Sequence, residues 1–289
     1  MKYLYYPGCS LKSTGKAYEE SLLTVLKRLD VAVQEIDDWN CCGATSYMAV
    51  DEVKAFALAA RNLALAEEQG GEEAQVMAPC AACYLVLSKA QHNIAESPEI
   101  NRRVISALRE AQLNYNGHAK VRHPLDILLN DVGLEQLEHH ASKPLSGMKV
   151  ACYYGCQIVR PYATFDDQAN PTSMDRILQA MGAEIVDWPL KTHCCGGTMT
   201  GTIEDVGLCL NFDLLHEAKK RGATVLATAC PLCQFNLECY QTKIAKQHHE
   251  NVSLPVAYFT QLMGLALGAS EQELGLKRLF VPLKASVAA

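Results

Sequence analysis

At 289 residues the chain has room for one large domain or two of ordinary size, and 49% hydrophobic with 20% charged residues is the composition of a globular protein with ample core. A net charge of −6 without any dense Lys/Arg run gives no reason to expect nucleic acid as a partner. Thirteen cysteines are many for an intracellular protein and too few for a disulfide scaffold.

The first predicted element is a short buried strand over residues 4–6, which runs into Pro7-Gly8-Cys9. No apolar signal-peptide core precedes it, and the longest apolar stretch near the C-terminus, 262–267, is far short of the roughly 20 residues of a membrane span. A reducing cytoplasm is therefore expected, where closely spaced cysteines bind metal or do redox work. A second strand is predicted over 32–36, followed by Trp39, Asn40 and the vicinal pair Cys41-Cys42-Gly43. Residues 50–69 read as an amphipathic helix with an apolar face at Val53, Phe56, Ala57, Ala60, Leu63 and Ala64, ended by Gly70-Gly71. A third strand at 75–78 leads into Cys80-Ala81-Ala82-Cys83, and a fourth is expected at 120–122.

Past a polar stretch at 141–147 the order repeats. Strands are expected at 150–154, 184–186, 224–228 and 256–258, with Cys156, the pair Cys194-Cys195-Gly196, and Cys230-Pro231-Leu232-Cys233 between them. The gaps within the first cysteine set are 31, 37 and 2 residues, and within the second 37, 34 and 2. The period is about 150 residues, so the chain is a duplication and not a solenoid. The expected domains are 1–143 and 144–289. The expected fold is α/β, each half a small, mainly parallel sheet flanked by helices joined by right-handed crossovers.

In such a sheet the lone cysteine, the vicinal pair and the first cysteine of C-x-x-C follow strands and precede helices. They should meet at the carboxyl edge, with Cys83 and Cys233 on the first turn of a helix. Zinc is a poor expectation, because each half offers one C-x-x-C knuckle and adjacent cysteines suit a single tetrahedral ion badly. Structural disulfides and a thioredoxin-like dithiol leave the matched set unexplained. An iron–sulfur centre fits better, since two adjacent thiolates can reach two neighbouring irons. Five thiolates leave two alternatives: a cubane with one spare cysteine, or an unusual cluster with a bridging thiolate.

The two copies of Cys-x31-CysCysGly-x37-Cys-x-x-Cys and its variant closely resemble the duplicated cysteine-rich CCG domain of the heterodisulfide reductase B subunit. The resemblance covers essentially the whole chain, including Tyr154-Gly155-Cys156 and the segment 258–265. It departs by one residue in each gap between vicinal pair and C-x-x-C.

The resemblance implies two noncubane [4Fe-4S] clusters. Cys9, Cys41, Cys42, Cys80 and Cys83 would ligate one, and Cys156, Cys194, Cys195, Cys230 and Cys233 the other. It further implies that the clusters face each other across a pseudo-twofold interface and split a disulfide into two thiols. The chain carries no dinucleotide fingerprint and no ferredoxin-like cysteine run, so its electrons must come from elsewhere. The resemblance supplies two partners of a heterodisulfide reductase-type complex, a cubane-bearing C subunit that relays electrons and a flavin-bearing A subunit. Related CCG proteins imply an alternative, an electron-transfer subunit of a lactate/glycolate or succinate/fumarate oxidoreductase system.

Other residues receive lesser expectations. His193 either supports a cluster sulfur or is a solvated loop histidine. Cys152, whose counterpart is Tyr5, is expected as a buried strand residue, and Cys209 and Cys239 as small core residues on helices. Lys191 and Arg160 either attract an anionic substrate or, the preferred reading, are plain surface charges. Trp39 and Trp188 are expected to pack beneath the cysteine loops, and His139, His140, His248 and His249 to lie at exposed helix ends.

Overall fold

The structure is a computed structural model that describes residues 2–44 and 46–283, with the side chain of Ser46 also outside the description. The outer limits of the two expected domains, residues 1 and 289, lie outside the described residues. Among the described residues, eight strands form two four-stranded sheets. The first contains β1 (Lys2–Tyr5), β2 (Ala32–Glu35), β3 (Gln75–Met77) and β4 (Lys120–Arg122), in the order β2-β1-β3-β4. The second contains β5 (Lys149–Tyr153), β6 (Glu184–Ile185), β7 (Val225–Thr228) and β8 (Val256–Tyr258), in the order β6-β5-β7-β8.

Every strand pair is parallel. The two orders are the same path traced twice, as a duplicated α/β chain requires. Each inner strand is short and apolar because helices cover both its faces. β7 is buried along its whole length, and Val76, Met77, Val150 and Ala151 are fully enclosed. The switch in strand order lies between β1 and β3 in one sheet and between β5 and β7 in the other. In open parallel sheets this is the place where the loops after the strands diverge, at the carboxyl ends.

The helix expected over 50–69 is two helices, Ser46–Val50 and Glu52–Gly70. Asp51 separates them by leaving the helical conformation and accepting a hydrogen bond from the Lys54 amide at 3.2 Å, an N-cap. Its apolar face is also shifted. Phe56, Ala60, Leu63 and Ala64 are buried as expected, but Val53 and Ala57 are only half-buried, while Ala55, Ala59, Asn62 and Glu67 are enclosed. Gly71 ends the helix at φ +73°, a conformation that suits glycine.

Glu67 is buried because it has a task. Its carboxylate accepts the amides of Asn116, His118 and Ala119 at 2.7, 2.6 and 3.0 Å, which fixes the loop leading into β4.

The chain packs as two compact units. Residues up to 13 together with 30–124 form one, and residues 14–29 together with those from 125 onward form the other. The helix Lys16–Arg28, early in the first repeat, thus belongs to the unit of the second sheet. It packs on the helix Phe259–Ala266: the Tyr18 ring stacks on Tyr258 at 4.5 Å, and the buried Ser21 and Thr260 hydroxyls hydrogen-bond at 2.6 Å. Among the described residues no helix is long and apolar enough to cross a membrane.

Candidate functional site

Each unit gathers its five predicted cysteines at the carboxyl edge of its sheet. In the first, Cys9 follows β1 on a single helical turn, Gly8–Leu11, rather than in a bare loop. Cys41 and Cys42 occupy the loop after β2. Cys80 is the residue before the helix Ala81–Glu96 and Cys83 lies in that helix's first turn. In the second, Cys156 lies in the turn after β5 and Cys194 and Cys195 in the loop that follows β6. Cys230 precedes the helix Pro231–Cys239, with Cys233 in its first turn.

The buried sulfurs pair in the same way in both units. Cys42 and Cys83 approach to 3.3 Å between Sγ atoms, and their counterparts Cys195 and Cys233 to 3.4 Å. Cys41 lies 4.0 Å from Cys9, and the nearby Cys194, after burial, helps push the Cys156 thiol up. Each set therefore has a buried floor, made by the second vicinal cysteine and the C-x-x-C. Its outer side is formed by the lone cysteine and the first vicinal cysteine, exposed in all but Cys156, which is half-buried.

Sulfur–sulfur contact shapes the protonation. Hydrogen bonds from the Cys41 and Cys83 thiols hold Cys42 down at about 4. The thiol of Cys233 is the main cause of a value of about 6 for Cys195. Cys83 and Cys233, on the other side of those contacts, are pushed well up, first by the same hydrogen bonds. In each set, contact with neighbouring sulfurs thus favours negative charge on the buried vicinal cysteine, as a metal-ligating thiolate requires.

Backbone and aromatic residues build the cradle. Gly8 sits at φ +66°, and a Cβ there would lie 2.8 Å from the Cys83 sulfur. The matching Gly155, at φ +68°, would bring a Cβ to 3.2 Å from Cys233. Both glycines are required twice over, by conformation and by the sulfur beside them. Tyr6 donates its hydroxyl to the Asn40 carbonyl at 2.7 Å, and Tyr153 donates to the His193 carbonyl at the same distance. Each tyrosine thereby pins the residue before a vicinal pair. Burial first, and then the charge of the nearby cysteines, pushes both phenols up.

Two helix amides repeat the support. Asn62 accepts the Asn40 amide at 2.8 Å and donates to its carbonyl at 3.0 Å, while Asn211 donates to the Cys195 carbonyl at 3.0 Å. None of these four polar residues was singled out from sequence. A tyrosine at a strand end reads as core, and an asparagine within a helix carries no spacing signal. Only the duplication could have marked the tyrosines, since Tyr6 and Tyr153 stand at the same distance from Cys9 and Cys156.

The lesser expectations divide. Cys152 is buried, as expected, whereas Cys209 is exposed and Cys239 only partly covered: the helix Glu204–Lys220 turns Leu208 and Asn211 inward and leaves Cys209 outside. Lys191 is not a surface charge. It is buried, 2.5 Å from Asp175, whose other oxygen accepts the Tyr154 hydroxyl at 2.5 Å. The pair ties the loop after β6 to the helix Ser173–Ala180, and the Tyr154 hydroxyl ties the end of β5 to the same carboxylate. Arg160 is exposed and caps the Thr192 carbonyl. Trp188 is buried and donates to the Cys152 carbonyl at 3.0 Å; Trp39 is half-buried and packs edge-on against Tyr6. His193 is exposed and, with Cys194, lines a surface cavity that includes His216 and Asp213. His139, His140 and His249 are exposed, while His248 is partly covered and stacks on Phe212 at 3.9 Å.

Among the described residues no three His, Cys, Asp or Glu side chains are arranged to hold one metal ion, so the thiols are not preset around a single atom. The donor set nevertheless fits an iron–sulfur group. It consists of soft thiolates, each set has a glycine that leaves room beside a sulfur, and backbone amides two residues beyond the buried vicinal cysteine, Ala44 and Gly197, donate to it.

Comparison with known proteins gives one family. The model of the CCG cysteine-rich domain matches twice, at residues 3–88 and 150–238. The 8-methylmenaquinol:fumarate reductase membrane anchor subunit of Wolinella succinogenes is 33% identical over 277 residues, covering 95% of each chain. The B subunit of the ferredoxin:CoB-CoM heterodisulfide reductase of Methanosarcina mazei is 29% identical, over 94% of this chain and 91% of its own. A protein of Archaeoglobus profundus, named as like the B subunit of heterodisulfide reductase, is 31% identical, over 93% and 91%. Among solved structures, a hypothetical protein from Helicobacter pylori superposes with a TM-score of 0.77 at 15% identity. It covers 98% of this chain, which spans 52% of that protein's length, and the likeness shows the fold. Two matched domains, each with its full five-cysteine set on the same parallel sheet, place this chain in the CCG cysteine-rich domain family.

Proposed function

We propose that this protein is the iron–sulfur subunit of a heterodisulfide reductase-type complex, interconverting a disulfide and two thiols. The observation that carries this reading is the recurrence, in both units, of five cysteines at the carboxyl edge of the sheet, with the buried vicinal sulfur against the second C-x-x-C sulfur in each. Relatives named for the B subunit of heterodisulfide reductase, similar over nearly their whole length, support it.

In this reading Cys9, Cys41, Cys42, Cys80 and Cys83 hold one noncubane [4Fe-4S] cluster, and Cys156, Cys194, Cys195, Cys230 and Cys233 hold a second. Clusters of this kind supply one electron each, and two supply the pair that, with two protons, turns one disulfide into two thiols. The chain's residues divide the rest of the work. The buried cysteines and the tyrosines beneath them keep water from the floor of each set. The outer cysteines, Cys9 with Cys41 and Cys156 with Cys194, leave one side of each set open to a sulfur compound. Electrons arrive from two partners, one bearing cubanes and one bearing flavin, in the cytoplasm.

The test is reduction of a disulfide by anaerobically purified protein with a low-potential dye as electron donor, comparing wild type with Cys42→Ser and Cys195→Ser. Thiol release by the wild type and at least a hundredfold loss in both variants is expected. Equal thiol release by a variant with an emptied set contradicts the reading.

A second reading is favoured by one observation, the 33% identity to the fumarate reductase subunit. It makes the protein an electron-transfer subunit of such a system. Clusters that take electrons from a quinol analogue, in a protein that leaves disulfides untouched, are its signature.

A further inference from the structure

The two cysteine sets are not equal, and one buried side chain marks the second of them. Asn236 is fully buried on the helix Pro231–Cys239, one turn beyond Cys233. The Thr200 hydroxyl donates to its Oδ1 at 2.8 Å, which fixes the amide with its NH2 group turned toward the vicinal loop. That group lies 3.5 Å from the Cys195 sulfur, 3.3 Å from the Cys195 carbonyl and 2.8 Å from the Gly197 carbonyl. In the first unit the residue one turn beyond Cys83 is Val86, also buried, whose side chain has no N–H to give. The backbone donors to the two sulfurs correspond, Ala44 to Cys42 and Gly197 to Cys195, so Asn236 is an addition to a shared pattern.

An N–H directed at a ligating thiolate stabilises negative charge on the sulfur. A reduced cluster carries one more negative charge than an oxidised one, so such a donor favours reduction and raises the potential. In a buried setting the effect is larger than in water. We propose that Asn236, held in place by Thr200, is a positioning residue that raises the reduction potential of the centre at the second cysteine set and so makes the two centres unequal electron acceptors. This rests on the reading that each set holds a cluster. Its consequence is an order: of two arriving electrons, Asn236 biases the first toward the second set.

The test is redox titration of the anaerobic protein followed by electron paramagnetic resonance, for wild type, Asn236→Val and Thr200→Val, with iron content measured first. Wild type is expected to hold two clusters, and in Asn236→Val one midpoint moves to lower potential while the other stays. Thr200→Val keeps the amide but frees it to rotate, and a smaller shift of the same midpoint in the same direction is expected. If Asn236→Val loads only one cluster, Thr200→Val decides alone. Two clusters with both midpoints unmoved in the variant that loads them overturn this inference and leave the proposed function standing. Wild-type protein without two clusters overturns both.

Discussion

The cysteines are the residues whose meaning is plainest, because ligand type and spacing are themselves the signal and the signal occurs twice. The residues that hold them in place are another matter. Tyr6 and Tyr153 stand at strand ends, where an aromatic residue reads as core, and their hydroxyl bonds run to residues 34 and 40 positions away. No local pattern carries such a partner. Each bond ties the end of a strand to the residue before a vicinal pair, so its loss should loosen the loop more than the fold. Tyr6→Phe or Tyr153→Phe is expected to cost about 1 kcal/mol of stability, the usual value of one hydrogen bond. It should also make the cluster of its own unit more labile to a chelator while the other keeps its rate. Thermal melting and the time course of iron loss measure the two effects. Equal loss from both clusters would contradict the assignment.

At the level of elements, the strands were legible because buried parallel strands are short apolar runs, and β4 and β8 fall where expected. The helix boundaries were less so. The apolar pattern of 50–69 runs straight through Asp51, which breaks the helix with a side-chain cap that periodicity does not register. Buried polar residues were missed for the same reason.

Glu238 is one of these. It is 2% exposed on the helix Pro231–Cys239, accepting from Gln234 and from the Val281 amide at 3.2 Å. Burial raises its value from 4.5 to about 7. Because the folded value is the higher one, the folded state holds this proton more tightly than the unfolded state. Its contribution is complete below about 4.5 and is lost as pH rises through about 7. The span is worth on the order of 3 kcal/mol. Glu238→Gln is therefore expected to be more stable than wild type at pH 8 and to gain nothing at pH 4. Denaturant midpoints at the two pH values measure it, and an equal difference at both would contradict the account.

On the scale of the whole molecule, the duplication was visible in sequence because its two copies share cysteines, glycines and strand order. What it could not convey is where the helix Lys16–Arg28 packs. That helix is amphipathic in either setting, and its partner, Phe259–Ala266, is more than two hundred residues away. The fragment 144–289 lacks the Tyr18 ring that covers Tyr258 and the Ser21 hydroxyl that meets Thr260. It is expected to be poorly folded, without a cooperative thermal transition, whereas residues 125–289 fused to residues 14–29 through a flexible linker, which restores the whole compact unit, should melt cooperatively. A sharp transition for the shorter fragment would contradict this packing.

The central claim is that each repeat holds its own cluster on five thiolates, and the most direct measurement is the iron and acid-labile sulfide content of anaerobically purified protein. The account predicts about eight irons and a matching amount of sulfide per chain for wild type, falling to about four when either Cys42 or Cys195 is replaced by serine. Zinc in place of iron with no sulfide, or a wild-type value that a single replacement leaves unchanged, would contradict it.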